Sequence, residues 1–313
     1  MSTTGPEQQA DRLRELSGLA FTKGHGTGND FILVADPDNT RDVLPEQVAA
    51  VCDRHLGIGA DGFIRAIKSE TVAEGRALLG ENPAAEWFMD YRNGDGSVSE
   101  MCGNGVRVFV HFLISRGFVT LDDGAALTIG TRAGVKVITR SAVGYAVDMG
   151  PWEFIFPDRA IERALDSIVD AGMAVPRPAL SVSMGNPHTV VALSEASELD
   201  ELDLHHAPLV EPVPPHGTNV EFVLPSDPLV SAGVGTIRMR VHERGVGETR
   251  SCGTGACAAV VATRHWAGDT VAERWDVHVP GGTVSVVFVN GPDGREHVVL
   301  DGPAVLVSEG SLS

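Results

Sequence analysis

An internal echo constrains this chain more than any other feature. Cys102-Gly103-Asn104-Gly105 and Cys252-Gly253-Thr254-Gly255 share the form C-G-x-G, and each opens a segment that is apolar around most of its circumference. The first segment runs from about Val106 to Arg116 and stops at Gly117; the second runs from about Ala256 to Trp266. A helix without a polar face has to be buried on every side. The residues around both segments read as strands, so strands must do the covering. The pattern predicts an α+β fold of two pseudo-symmetric, strand-rich domains, each a mixed sheet or barrel wrapped around one central buried helix. It excludes an alternating βαβ sheet.

The rest of the chain supplies the strands. Leu19–Lys23 and Asp30–Asp36 flank GHGTGN, a glycine-rich turn. A helix is predicted at about Pro45–Leu56, with proline near its start and Gly57 just past its end. Glu86–Arg92 returns to strand ahead of NGDG, a strong turn signal. Residues 69–84 are small, polar and weakly periodic, and read as a surface insertion. In the second half, strands are expected at about 134–140, 144–149, 178–193, 218–224 and 235–242, with hairpins from Val277 onward. The expected domains are 19–132 plus 303–313 and 133–302, behind a polar and peripheral extension at 1–18.

A cysteine at a helix start lies at the positive end of the macrodipole, which favours thiolate. Small residues after it leave backbone N–H groups open to an anion such as a carboxylate. Two such ends acting on one molecule suit removing a proton from one face of a carbon and returning one to the other. Other chemistries fit less well. A Cys102–Cys252 disulfide is not the working state in a reducing cell. The C-x₄-C pair at 252 and 257 has Val260 where an iron–sulfur run needs its third cysteine. A papain-like enzyme needs one nucleophile, not a matched pair. No G-x₄-G-K-[ST] occurs, and GHGTGND leads into a strand, against the dinucleotide fingerprint. Pyridoxal requires a lysine, and none of Lys23, Lys68 and Lys136 stands in an anchoring context. No metal and no cofactor is expected. Cys52 and Cys257 read as small buried hydrophobes.

The balance of charge narrows the partners. Lys+Arg 24 against Asp+Glu 42 gives a net charge of −18, which repels phosphate backbones and argues against nucleic acid. There is no run of 18 apolar residues to cross a membrane, and the polar first 18 residues do not resemble a secretory signal. With four cysteines in 313 residues, a cytoplasmic, reducing setting is expected.

Six segments then resemble one known family: GHGTGNDFILV (24–34), RHLGIGADG (54–62), YRNGDGSVSEMCGNGVRVF (91–109), MGNPHTVV (184–191), GTNVEF (217–222) and RVHERGVGETRSCGTGACAAV (240–260). Together they look like diaminopimelate epimerase, the cofactor-independent enzyme that interconverts LL- and meso-2,6-diaminopimelate in lysine and peptidoglycan synthesis. The resemblance implies a homodimer acting on a small-molecule substrate, with Cys102 and Cys252 as the acid and base of a two-base reaction. It implies that Gly103, Asn104, Gly253 and Thr254 offer backbone groups to the carboxylate at the reacting centre. Asn29, Asn93, Asn186, Asn219, Glu243 and Arg244 are expected to hold the remaining amino and carboxyl groups. His188 and Glu243 are expected to tune the thiols. Taken singly, an asparagine beside glycine is usually a turn residue, and Glu243-Arg244 would pass for a solvated pair.

Two departures stand out. Many members carry glutamine where this chain has Gly62, so no ligand role is assigned there, and Thr254 replaces a common serine in a contact made by the main chain. Proline and hydroxyproline epimerases, the alternative reading, typically show histidine after the first Cys-Gly, where this chain has Asn104. Phenazine-type isomerases lack the cysteine pair.

Overall fold

The structure is a computed structural model and describes residues 5–268 and 272–313, so the first four residues of the N-terminal extension lie outside it. Two compact units emerge. One runs to Val147 and takes back Pro303–Ser313; the other is Asp148–Gly302.

In the first unit, helix α1 (Pro6–Glu15) leads into a hairpin of β1 (Ala20–Gly26) and β2 (Asn29–Ala35). Thr27 (φ 51°) and Gly28 (φ 81°) at its tip are both left-handed, the type I′ geometry that matches strand twist. After α2 (Pro45–Cys52), β3 (Gly62–Lys68) lies parallel to β2. A short helix, α3 (Ala73–Glu81), precedes β4 (Trp87–Asn93), which is antiparallel to β3. Then come α4 (Gly103–Ser115), β5 (Ala126–Thr131) parallel to β4, and an antiparallel run of β6 (Gly134–Arg140) and the start of β7 (Tyr145–Pro151). The last strand of the chain, β19 (Val305–Ser311), returns to pair with β1.

The second unit repeats the plan. Strand β8 (Glu153–Phe154), α5 (Pro157–Arg163) and β9 (Ser167–Asp170) precede an antiparallel pair, β10 (Arg177–Ser183) and β11 (Pro187–Ala192). Past α6 (Ala196–Asp200) and β12 (Leu209–Glu211), β13 (Asn219–Ser231) lies parallel to β11 and antiparallel to β14 (Val234–Glu243). Strand β15 (Gly247–Thr249) leads to α7 (Gly253–Ala267), and β16 (Arg274–Val279), β17 (Gly282–Asn290) and β18 (Glu296–Gly302) complete the unit. Thus β2, β3 and β4 in one unit and β11, β13 and β14 in the other have the same directions and precede the same kind of helix.

Both helices are enclosed as their apolar circumference demands. Helix α4 packs against β1, β2, β3 and β19, with Val106, Val108, Phe109, Phe112 and Leu113 fully buried. It ends on Gly117 at φ 71°, where the Phe118 N–H reaches the Leu113 carbonyl at 3.0 Å in a Schellman arrangement. Helix α7 packs against β10, β11, β13, β14, β16, β17 and β18. Each buried Val, Leu or Phe contributes about 1.5–3 kcal/mol relative to exposure, so the two helices anchor their units.

Two expectations need amendment, and one strand was not anticipated. The hairpin after residue 133 pairs with β5 in the first unit instead of opening the second. The N-terminal extension is not peripheral: Leu13 and Leu16 of its helical stretch pack on a cluster with Ile32, Val48, Val51 and Leu312. The strand β3, GFIRAIK, escaped the period-two reading because it is buried on both faces and does not alternate. Residues 69–84 do form a largely exposed excursion, folded as a 3₁₀ turn and α3.

Candidate active site

The two cysteines are built into the fold in the same way. Cys102 and Cys252 are the N-cap residues of α4 and α7, both with extended backbones. Each sulfur accepts the N–H three residues on, from Gly105 and Gly255, at 3.4 Å. The sulfur thus takes the place of the usual capping oxygen. The first intrahelical bonds run from Val106 N to Cys102 O and from Ala256 N to Cys252 O, both at 2.9 Å. The N–H groups of residues 103, 104, 253 and 254 therefore precede the first intrahelical donor and belong to the open first turn of each helix beside the sulfurs.

In the first unit, Asn29 at the start of β2 ties the site together. Its Oδ1 accepts from Asn104 Nδ2 at 3.3 Å and lies 3.5 Å from the Cys102 sulfur. Its Nδ2 donates to Asp61 Oδ2 at 2.8 Å. Behind Asn104, the fully buried Arg107 donates from Nη2 to Asn104 Oδ1 at 2.9 Å. Asp30 next door would rise on burial, but Arg54 and Lys23 bring it down to about 2. Asn93, at the end of β4, accepts from the Tyr91 hydroxyl at 3.1 Å and donates to Ser97 at 3.0 Å.

In the second unit a longer network surrounds Cys252. Thr254 Oγ1 is 3.5 Å from its sulfur and accepts from Asn186 Nδ2 at 3.5 Å. Asn186 Oδ1 accepts from His188 Nε2 at 3.1 Å, and His188 Nδ1 donates to Glu221 Oε1 at 2.7 Å. Asn219 lies 3.5 Å from the same ring and accepts the Arg244 N–H at 2.9 Å. The Arg244 guanidinium is exposed and donates to the His216 carbonyl, its stem lying over Gly217, where a Cβ would come within 2.9 Å of Arg244 Cδ. Glu243 accepts from the Thr249 hydroxyl. Burial pushes the Cys252 thiol well above its usual range, the Glu243 and Glu221 carboxylates add to the rise, and the Thr254 and Gly255 hydrogen bonds oppose it. Cys252 therefore rests protonated at neutral pH.

Cys52 and Cys257 sit in the cores, and burial lifts the Cys52 thiol to about 12, helped by Asp30 and Asp61. Among the described residues no cysteine is disulfide-bonded, and no group of three or more His, Cys, Asp or Glu is placed to hold a metal ion.

Sequence reasoning missed Glu221, Asp61 and Arg107. Glu221 carried one signal, a single charge inside the otherwise apolar run Val220–Leu224. Alternation alone turns such a residue toward solvent, whereas here four successive residues from Val220 to Val223 are buried.

A family model described as diaminopimelate epimerase matches residues 21–155 and 180–307. A diaminopimelate epimerase of Streptomyces coelicolor is 46% identical over 302 residues, covering 94% of this chain and 95% of that protein. Those of Thermobifida fusca and Corynebacterium glutamicum are each 43% identical, over 94% of this chain and 98% of theirs. Among solved structures, a phenazine biosynthesis protein of the PhzF family from Bacillus anthracis superposes with TM-score 0.66 at 15% identity, covering 94% and 99% of the two chains. A probable proline racemase from Agrobacterium radiobacter follows at 0.59 and 16%, covering 94% and 93%. These two share the fold.

Proposed function

The chain belongs to the diaminopimelate epimerase family, and from that premise we propose how its residues carry the reaction. It epimerises LL-2,6-diaminopimelate to the meso form, a step of lysine and peptidoglycan synthesis. The reaction exchanges one α-proton. In our reading one cysteine, as thiolate, takes that proton from one face of the α-carbon. The electron pair left behind spreads into the adjacent carboxylate, and the other cysteine, as thiol, delivers its proton to the opposite face. The carboxylate then carries more charge than in the ground state, so fixed N–H donors around it stabilise the transition state preferentially.

The observation that carries this reading is that both sulfurs cap twin helix ends inside the matched family motifs. The N–H groups of Gly103, Asn104, Gly253 and Thr254 hold the reacting carboxylate. Asn29, Asn93, Asn186, Asn219, Glu243 and Arg244 hold the remaining amino and carboxyl groups. His188 and Glu243 tune the Cys252 side, where the protonated resting thiol is the proton donor. No cofactor takes part. The same reading makes the protein a cytoplasmic homodimer, which sedimentation can check. Among the described residues no helix is long and apolar enough to cross a membrane.

Turnover in D₂O tests the scheme. Deuterium is expected at the α-carbon of diaminopimelate and not of proline. Replacement of either Cys102 or Cys252 by alanine is expected to stop epimerisation. Full turnover in both directions by a single variant would refute the two-base assignment.

A further inference from the structure

Strand register makes the two units comparable residue by residue. In the first unit Phe31 on β2 pairs with Gly62 on β3, and two residues along Leu33 pairs with Ile64. In the second, His188 on β11 pairs with Asn219 on β13, and Val190 pairs with Glu221. Asn29 and Asn186 each stand two residues before the first of these positions. His188 and Glu221 therefore occupy the places that Phe31 and Ile64 occupy in the twin.

All four side chains are fully buried. One unit fills the two places with hydrocarbon, so the fold itself does not require charge there. The other holds an imidazole and a carboxylate 2.7 Å apart, and Glu221 Oε2 has no hydrogen-bond partner among the described residues. Removing polar groups from water and leaving one carboxylate oxygen unsatisfied is expensive, and packed apolar residues would be as stable or more so.

The pair also sits against the reacting helix end. A Cβ on Gly255 would meet Glu221 Oε1 at 2.7 Å, whereas at the twin Gly105 the nearest atoms include Met89 Cε at 3.1 Å and Phe31 Cε1 at 3.4 Å. From Glu221 a chain of contacts runs through His188, Asn186 and Thr254 to the Cys252 sulfur. The two ring nitrogens of His188 thus link the Glu221 carboxylate on one side to the Asn186 amide on the other.

We propose that Glu221 is a positioning residue for the reaction: it orients His188, and through Asn186 and Thr254 the Cys252 thiol, and the buried pair makes two otherwise twinned cysteine sites chemically unequal. This rests on the two-base reading above. The titratable groups around Cys252 are Glu221 on β13, Glu243 on β14 and His188 on β11. Removing the Glu221 charge takes away one of the carboxylates that push the Cys252 thiol up, so the sulfur becomes easier to ionise.

The test uses the intact enzyme and the variant E221Q, which keeps shape and loses charge. Turnover is expected to fall about 10–100-fold with KM changed less than about threefold, since the residue is fully buried behind the helix end. Site-resolved alkylation by iodoacetamide, read by mass spectrometry against pH, is expected to move down by about one pH unit at Cys252 and to stay put at Cys102. E221D is expected to recover part of the turnover. The double variant H188F/E221I, which copies the first unit, is expected to unfold no lower than the parent and still to lose turnover. Parental turnover with unshifted Cys252 alkylation in E221Q, or an active double variant, would overturn the proposal. If C252A itself turned over, the two-base reading would fail instead, so the two failures are distinguishable.

Discussion

The same substitution at twin positions should have opposite consequences. Gly105 and Gly255 stand one turn into α4 and α7, where exchanging glycine for alanine in a helix gains up to about 1 kcal/mol. At Gly105 the new methyl meets Met89 Cε at 3.1 Å, the free end of an unbranched side chain that can give by a few tenths of an ångström. At Gly255 it meets Glu221 Oε1 at 2.7 Å, and that oxygen is enclosed and bonded to His188 at 2.7 Å. Displacing one member of a buried pair costs up to about 3–5 kcal/mol, which leaves a net loss of about 2–4 kcal/mol after the helix gain. For a unit the size of Asp148–Gly302 that corresponds to a fall in Tm of roughly 5–15 °C. G105A is expected within about 3 °C of the parent or above it. Differential scanning calorimetry of the two variants decides. Equal shifts for both, or an unchanged second-unit transition in G255A, would show that the carboxylate is not held where the argument requires.

Further outcomes follow from other sites. C102A and C252A should each lose more than about 10³-fold in epimerisation while Tm falls by only a few degrees, the cost of about 0.5–2 kcal/mol for the lost sulfur cap, measured by coupled turnover and calorimetry. Because Asp30 is held at about 2 in the fold against an ordinary 3.8, its contribution is fully present above pH 4 and disappears as pH falls toward 2. Urea unfolding of D30N should therefore trail the parent by about 2 kcal/mol at pH 6 and match it near pH 2. L16A, which empties part of the cluster under the N-terminal helix, should lower stability by about 2 kcal/mol without changing kcat.

What could be read from the sequence was local. Cys102 and Cys252 as helix caps, Gly117 as a stop, and an apolar circumference that demands a wrapping sheet all depend on residues within a turn or two of one another. Backbone sterics and periodicity settle such features before any tertiary contact forms. The strand β3 and the membership of the hairpin after residue 133 were not legible in that way. The strand β3 depends on a parallel partner, which leaves no turn signal to mark it, and the hairpin is assigned to its unit only by its antiparallel register with β5.

The chemistry divides along the same line. The sequence determined that two sulfurs would stand at twin helix starts, because capping and helix burial are encoded within each segment. Only the tertiary structure decided that they are unequal. His188 and Glu221 are 33 residues apart in the chain and meet across the parallel register of β11 and β13. The ionisation of Cys252 depends on burial and on carboxylates brought in by β13 and β14. Electric fields act through space, and a one-dimensional string does not specify which distant charges come within reach of a thiol.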